Sequence, residues 1–186
     1  MPMAIDPKSK KKPWTGAILS AAKEFDPTPL PILSGKIPEG LRGTLYRNGP
    51  GRLERGGKRV GHWFDGDGAI LAVDFTDTGA IAIYRYIKTK GYSAEETAGR
   101  FLYGNYGMIY PGSLWNYWIT LLTKNNLIKN TGNTSVIALS DRLLALWEGG
   151  NPHALDLETL ETKGLEGLGA LKPGQSYSAH PLRDPF

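Results

Sequence analysis

From residue 43 onward, the chain alternates short apolar runs with turn-forming residues. Residues 69–75 and 80–87 form two such runs on either side of a Thr-Asp-Thr-Gly turn, in which Gly79 can adopt a positive φ. The same unit recurs later in the chain, with apolar runs at residues 135–139, 143–147 and 153–156. Repeated hairpins of this size predict an all-β fold. Periodicity alone leaves a sandwich, a barrel and a propeller open.

One segment departs from this β pattern. Its large apolar residues fall on one face at helical spacing and are Leu114, Trp115, Trp118, Ile119 and Leu122. Lysines follow at positions 124 and 129, which suits a helix lying in a membrane interface, although a core helix has the same apolar pattern. The run of nine residues contains Asn116, whereas a membrane-spanning helix needs about 20 apolar residues. We therefore predict a short amphipathic helix that does not cross a bilayer.

Residues 1–33 have a different composition from the remainder of the chain. They are rich in Pro and Lys, and they contain one plausible short helix, at residues 16–23, which ends before a series of prolines. We predict a flexible basic N-terminal arm over residues 1–33 and a folded domain over residues 34–186.

The formal charge of +4 comes mostly from this arm. Residues 1–20 contribute +3, so the rest of the chain is nearly neutral. The cluster Lys8, Lys10, Lys11 and Lys12 suits an anionic lipid or nucleic-acid surface, but a solvated chain end has the same composition, and we favour the latter. No basic stripe with interleaved aromatic residues follows, so we expect no nucleic-acid partner.

Several chemistries are excluded by composition or spacing. The chain has no cysteine, which excludes thiolate nucleophiles, disulfides, Cys-ligated zinc and iron–sulfur clusters. The sequence Asp65-Gly66-Asp67-Gly68 resembles the start of a calcium loop, but Ile70 and Thr76 occupy the positions where an EF-hand requires Gly and Glu. We predict a tight, glycine-dependent turn there instead. The glycines of residues 49–57 lack the Gly-Lys-Ser/Thr of a phosphate-binding loop.

The three histidines, at positions 62, 153 and 180, are scattered without metal-binding spacing. No Ser–His–Asp order or closely paired carboxylates indicate hydrolysis. No apolar secretory leader is visible, so we expect a cytoplasmic protein. The residues alone therefore predict an all-β chain with a candidate membrane-facing helix, and they do not identify a reaction.

Four blocks of sequence resemble, in order, the N-terminal part of the carotenoid cleavage oxygenases, and among these the bacterial apocarotenoid oxygenases most. They are residues 33–51 (LSGKIPEGLRGTLYRNGPG), 62–68 (HWFDGDG), 133–150 (NTSVIALSDRLLALWEGG) and 178–185 (SAHPLRDP). The resemblance implies that residues 34–186 are the N-terminal blades of an incomplete seven-bladed β-propeller. It also implies one Fe²⁺ on four histidines, three of them oriented by glutamates, and cleavage of a carotenoid or apocarotenoid double bond by dioxygen into two carbonyl products.

The resemblance also assigns roles to five residues. His180 matches the first iron ligand in chain order, and Glu148 matches a carboxylate that accepts a ring N–H from a ligand histidine. Thr134 matches a residue against an open coordination position. Phe64 and Trp147 match aromatic residues of the substrate tunnel, which suits an extended apolar polyene.

Residues outside this set have other expected roles. His62 and His153 match no ligand, so we expect them to be structural. Residues 114–122 match the family's apolar patch that dips into the membrane, which predicts a cytoplasmic protein peripherally associated with a membrane surface.

The length departs from the family, whose members are more than twice as long as this chain of 186 residues. One imidazole is a poor iron site, so we expect these residues alone to be an inactive fragment of a dioxygenase. The alternative is a non-catalytic remnant that binds a lipid surface or a carotenoid.

Overall fold

The computed structural model describes residues 20–107 and 128–182. The described strands are β1 (Phe25–Pro29), β2 (Gly43–Arg52), β3 (Glu54–Arg55), β4 (Lys58–Arg59), β5 (Asp67–Thr76), β6 (Gly79–Tyr86), β7 (Ser135–Ala138), β8 (Leu143–Leu146), β9 (His153–Leu155) and β10 (Thr162–Leu165). They are joined by a 3-10 turn (Trp63–Asp65) and by one α-helix, α1 (Lys90–Ala98).

Eight of these strands form two four-stranded antiparallel sheets. Their orders are β1-β6-β5-β2 and β10-β9-β8-β7, and β3 pairs with β4 in a separate hairpin. The predicted hairpins are confirmed: β5 pairs with β6 up to a turn where Thr76 faces Gly79, and β7 pairs with β8 from Ser135 to Ala138. Each sheet has the strand number and antiparallel order of a propeller blade.

The two sheets pack against each other through a shared apolar core. Alternation along β5 turns Ile70 and Ala72 toward this core and Ala69 away from it. Leu143 and Ala145 of β8 enter the core from the second sheet. Strands β2 and β7, one from each sheet, contact each other. The core therefore fixes the two sheets as neighbours and brings these two strands together.

The described part of the predicted N-terminal arm contains a strand. β1 pairs with β6, and it is exposed along its whole length. Its two prolines suit an outer edge strand, because proline has no N–H to donate to a neighbour on both sides. The short helix predicted at residues 16–23 is wrong over its described part, residues 20–23, which are not helical. There the Ala22 N–H donates to the Gly51 carbonyl and the Ala22 carbonyl accepts from the Tyr86 hydroxyl, which keeps the chain along the sheet.

The helix α1 was not predicted from the sequence pattern. Its N-terminus is capped by Thr89, whose hydroxyl accepts from the Tyr92 N–H at 3.0 Å, and Gly99 ends it in the left-handed conformation with φ of 62°. Only Tyr92 and Glu95 of this helix are buried, so its apolar face is too narrow to be recognised by periodicity. The amphipathic helix predicted at residues 114–122 lies outside the described residues.

A buried ionic cluster joins α1 to the first sheet. The Lys129 ammonium lies 2.7 Å from a carboxylate oxygen of Asp67 and 2.7 Å from one of Glu95. The Arg55 guanidinium lies 3.0 Å from the other Asp67 oxygen. No side chain of these four is more than 3% exposed, so each charge depends on its partners for solvation.

The cluster extends to the surface through Glu96. This carboxylate pairs with Arg55 and lies 2.6 Å from the Arg52 guanidinium. Burial opposes the charge of Arg55, but hydrogen bonds to Glu96 and Asp67 outweigh it and raise the pKa of Arg55. Burial likewise opposes the charge of Glu96, yet the hydrogen bond from Arg55 and the nearby Arg52 lower its pKa. Three cations thus face three carboxylates, and the cluster is neutral overall.

We predict that Lys129→Met lowers the free energy of unfolding of the complete protein by about 3–5 kcal/mol, because it removes the cation that Asp67 and Glu95 share and leaves these buried carboxylates with Arg55 alone. The measurement is denaturant unfolding at neutral pH. The matched control is Lys163→Met, which removes an exposed pair with Glu161 and should change the stability little. Equal effects of the two substitutions would show that the buried cluster is not a major source of stability.

Candidate functional site

The five residues to which the resemblance assigns roles line one cleft. The cleft has a volume of about 1260 Å³. Its lining includes Phe64, Thr134, Trp147, Glu148 and His180. These residues come from four separate segments of the chain, so their meeting is a consequence of the fold and not of sequence proximity. Their individual roles stay predictions.

Trp147 and Glu148 follow β8 in a glycine-rich turn. A Cβ atom at Gly149 would lie within 2.8 Å of three carbons of the Trp147 indole, so only glycine lets the chain fold back over this ring. The indole is half-buried and Glu148 is exposed. Within the described residues, the Glu148 carboxylate makes no hydrogen bond or ion pair. Its oxygens can therefore accept an imidazole N–H from outside this set.

His180 enters the cleft from a segment that is fastened to β7. The Ser135 hydroxyl donates to the carbonyl of Ala179, which is buried. The His180 N–H donates to the Ser178 hydroxyl at 3.3 Å. The backbone is thus held at the histidine and at the residue before it, while the imidazole itself is exposed.

Thr134 lies immediately before β7 and is held through its backbone. Its N–H donates to the carbonyl of Leu146 at 3.1 Å, one residue before Trp147. The Asn48 amide of β2 donates to the carbonyls on either side, at 2.7 Å to Gly132 and 2.8 Å to Ser135. Thr134 is therefore tied to both sheets.

Phe64 is presented by the 3-10 turn, which is fixed from two directions. The Asn133 amide donates to the carbonyls of Phe64 and Gly66, at 2.9 and 2.7 Å. The Asp65 carboxylate accepts from the backbone N–H of His62 at 3.1 Å and from that of Gly107 at 3.0 Å. With its backbone anchored, the Phe64 ring stays 57% exposed at the cleft.

The carboxylates of the Asp-Gly-Asp-Gly sequence are both engaged. Asp65 accepts backbone N–H groups and Asp67 pairs with buried cations, which leaves no calcium loop. Gly66 has a φ of −68°, and a Cβ atom at Gly68 would lie 2.6 Å from the Thr131 carbonyl oxygen. These glycines are needed for close packing rather than for a positive φ.

The other two histidines are in different environments. The His62 ring accepts from the Phe64 N–H at 3.1 Å and contacts the Tyr106 ring, with centroids 4.9 Å apart. His153 of β9 lies opposite Ala145 in the pairing with β8, on the sheet face that contributes to the shared core, and is 5% exposed. Burial lowers the pKa of His153 to about 4, so its imidazole is neutral at pH 7.

The described residues contain no complete metal site. Within residues 20–107 and 128–182, no three His, Cys, Asp or Glu side chains are grouped so that they could hold a metal ion. His180 and Glu148 fit one imidazole ligand and one orienting carboxylate. The remaining ligands of a four-histidine site would come from outside this chain.

The residues Leu114, Trp115, Trp118, Ile119 and Leu122 lie outside the described residues. Among the helices that are described, none has the length and apolar character needed to span a bilayer.

Two residues of the site were missed by sequence reasoning. Asn48 and Asn133 line the cleft and make the hydrogen bonds that hold Thr134 and Phe64. Asn48 lies inside a run that forms a strand, where asparagine is disfavoured, and this was the available signal. Asn133 had no comparable signal, because its partners are 67 and 69 residues away.

Comparison with known proteins identifies the family. The sequence profile of the family described as "RPE65: Retinal pigment epithelial membrane protein" matches residues 18–186. The chain belongs to this family, the carotenoid cleavage oxygenases.

Characterised carotenoid oxygenases are similar over most of this chain. The apocarotenoid-15,15'-oxygenase of Synechocystis sp. is 44% identical over 92% of the chain and 34% of its own length. Carotenoid cleavage oxygenase 1 of Neurospora crassa is 35% identical over 87% of the chain and 29% of its own length. The chain thus spans about a third of the length of the curated relatives it matches.

Solved structures of carotenoid oxygenases have the same fold over this region. A crystal structure of an ACO/RPE65 chimera superposes with a TM-score of 0.81 at 40% identity, over 92% of this chain and 35% of that one. Cobalt-substituted apocarotenoid oxygenase of Synechocystis superposes with a TM-score of 0.79 at 40% identity, over 90% of this chain and 34% of that one. The two sheets are therefore blades of the carotenoid oxygenase propeller, which confirms the predicted fold class.

We predict that the stability of the complete protein falls as the pH is lowered from 6.5 toward 4. In this window an unfolded chain protonates His153 at its ordinary pKa of 6.5, whereas the folded protein keeps it neutral until about pH 4. The loss amounts to about 3 kcal/mol. Denaturant unfolding between pH 7 and 4 measures it, and His153→Phe should flatten this part of the profile. A variant profile as steep as that of the wild type would contradict the assignment to His153.

Proposed function

We infer that this chain is the N-terminal third of an Fe²⁺-dependent dioxygenase that cleaves a carbon–carbon double bond of a carotenoid or apocarotenoid. The observation that carries the proposal is the cleft, where residues from four distant segments meet in a chain of the carotenoid oxygenase family. The Synechocystis relative is named as an apocarotenoid oxygenase and the Neurospora relative as a carotenoid cleavage oxygenase.

His180 and Glu148 are the contribution of this chain to the metal centre. His180 presents an exposed imidazole, which in its neutral form can bind Fe²⁺ through a ring nitrogen. Glu148 has unengaged carboxylate oxygens at the same cleft and would fix the tautomer of a ligand histidine from another part of the protein. When bound, iron supplies the activation of dioxygen. The cobalt-substituted structure of the Synechocystis enzyme supports a divalent metal in this fold.

The remaining side chains shape the space around the reacting bond. Phe64 and Trp147 offer aromatic surface to an extended apolar polyene, and they orient it by excluding other positions. Thr134 places a methyl group and a hydroxyl at the edge of the cleft, where it limits the size of what binds beside the metal. The expectation that these residues alone are inactive follows from their single candidate histidine ligand.

Residues 114–122 extend the proposal to a membrane surface. The spacing of Leu114, Trp115, Trp118, Ile119 and Leu122 predicts one apolar face of a helix, and this pattern suits a helix that lies in the interface and admits an apolar substrate. The complete protein would then be peripherally associated with a membrane.

We predict that His180→Ala in the complete protein abolishes double-bond cleavage and most of the bound iron. Iron is measured by elemental analysis and cleavage by chromatography of apocarotenoid products. His62→Gln serves as the matched control and should retain iron. If His180→Ala keeps its full iron content, His180 is not a ligand. If the wild-type protein binds a carotenoid or lipid vesicles but contains no iron, the non-catalytic alternative is correct.

A second substitution tests the carboxylate. Glu148→Gln keeps the shape of the side chain but weakens its ability to accept an imidazole N–H, and metal affinity should fall about 10- to 100-fold. Metal titration of the apoprotein measures the change, with thermal unfolding as the control for the fold. An unaltered affinity would restrict Glu148 to a structural role.

A further inference from the structure

The side-chain amide of Asn48 hydrogen-bonds to the backbone on both sides of Thr134. Its two N–H groups donate to the carbonyls of Gly132 and Ser135, at 2.7 and 2.8 Å, so the two bonds lie on either side of Thr134. A primary amide has two donors, and both are used here. The Asn48 oxygen is buried and accepts no hydrogen bond within the described residues, so the donated bonds alone orient this side chain.

The contacts of Asn48 extend to the other residues of the cleft. Ser135, whose carbonyl Asn48 binds, donates its own hydroxyl to the Ala179 carbonyl, next to His180. Asn133, which lies between Gly132 and Ser135 in the sequence, donates to the carbonyls of Phe64 and Gly66. One residue of β2 is therefore linked by hydrogen bonds to the backbone segments that carry Thr134, His180 and Phe64.

The direction of the Asn48 side chain follows from its strand pairing. Asn48 lies opposite Ile70 in the pairing of β2 with β5, so its side chain points into the space between the sheets. Gly132, which has a φ of 58°, and Thr134 lie in a segment without ladder pairing to β2, so side-chain bonds replace a regular strand register there. The amide therefore adds to the backbone bonds from Gly68 to Thr131 and from Thr134 to Leu146, and it is the contact that ties this segment to β2.

We propose that Asn48 is a positioning residue that sets the place of Thr134, and through Ser135 that of His180, at the metal-facing side of the cleft. The proposal rests on the function proposed above, since it assigns a purpose to the position of these two side chains. Asn48 acts through Thr134 and His180, and its own contact with substrate is not required.

The matched control lies two residues away on the same strand face. Tyr46 also bridges the sheets, by donating its hydroxyl to the Leu157 carbonyl at 2.9 Å, but none of its hydrogen bonds reaches residues 131–135. Tyr46→Phe therefore removes a hydrogen bond between the sheets without touching the backbone of Thr134. Asn48→Asp has the shape of the native residue and lacks both donors.

The first experiment observes Thr134 directly, without reference to activity. Threonine methyl groups of the complete protein are isotopically labelled, and the Thr134 signal is assigned by its loss in Thr134→Ala. Asn48→Asp should shift and broaden the Thr134 methyl signal, and Tyr46→Phe should leave it in place. An unchanged Thr134 signal in folded Asn48→Asp overturns the proposal. If Asn48→Asp does not fold, Asn48→Leu takes its place, because it removes both donors without adding a charge.

The second experiment is a double-mutant cycle on cleavage. Asn48→Asp should lower kcat about 10- to 100-fold, as expected for a misplacement of about 1 Å in a reacting site. When Thr134 is already replaced by Ala, Asn48→Asp should lower kcat by a smaller factor, because only the effect of Asn48 on His180 remains. Tyr46→Phe should have the same small effect on kcat with Thr134 present or replaced. Fully additive losses would contradict action through Thr134. If the wild-type protein lacks cleavage activity, the proposed function fails while the methyl signal still decides the role of Asn48.

Discussion

The close approach of residues 129–135 to the first sheet is the constraint on which the site depends. We refer to these residues as the inter-sheet segment. The Gly68 N–H donates to the Thr131 carbonyl at 3.0 Å, and the absence of a side chain at Gly68 is what permits that contact. The Asn48 and Asn133 amides then connect the segment to β2 and to the 3-10 turn. Thr134 lies in this segment, and the Phe64 carbonyl accepts a hydrogen bond from it. The residues that precede His180 and Trp147 are also hydrogen-bonded to the segment. The path of the segment therefore determines the geometry of the cleft.

The two ends of the inter-sheet segment are held by different kinds of interaction. At its start, Lys129 is fixed by buried carboxylates of β5 and α1. At its end, Ser135 is held by the Asn48 amide and begins β7. Charged contacts are strong but costly to bury, and they require the neutral balance of the cluster. Neutral amide bonds can be placed beside an apolar cleft without that cost. The ionic cluster therefore lies away from the cleft, between α1 and the first sheet, and the residues that line the cleft are mostly uncharged.

Parts of this structure followed from the sequence, and the reasons differ by element. The β5–β6 hairpin was predictable because apolar alternation and the turn ending at Gly79 agree with each other. The strand β1 was missed because its two prolines argue against a strand in the sequence, and proline is tolerated only at the edge of a sheet, where β1 lies. Helix α1 was missed because it buries just two residues. The cleft could be proposed only from resemblance, since its residues are far apart in sequence and no local pattern connects Phe64 to His180.

The most direct test of this account is the location of the metal in the complete protein. Crystals of the iron-loaded protein, measured at the iron absorption edge, give an anomalous signal that identifies the metal without assumptions about the ligands. The account predicts one strong peak in the cleft, bonded to a ring nitrogen of His180 and beside Thr134. A peak elsewhere, with the His180 imidazole unbound and the cleft free of metal, would contradict it.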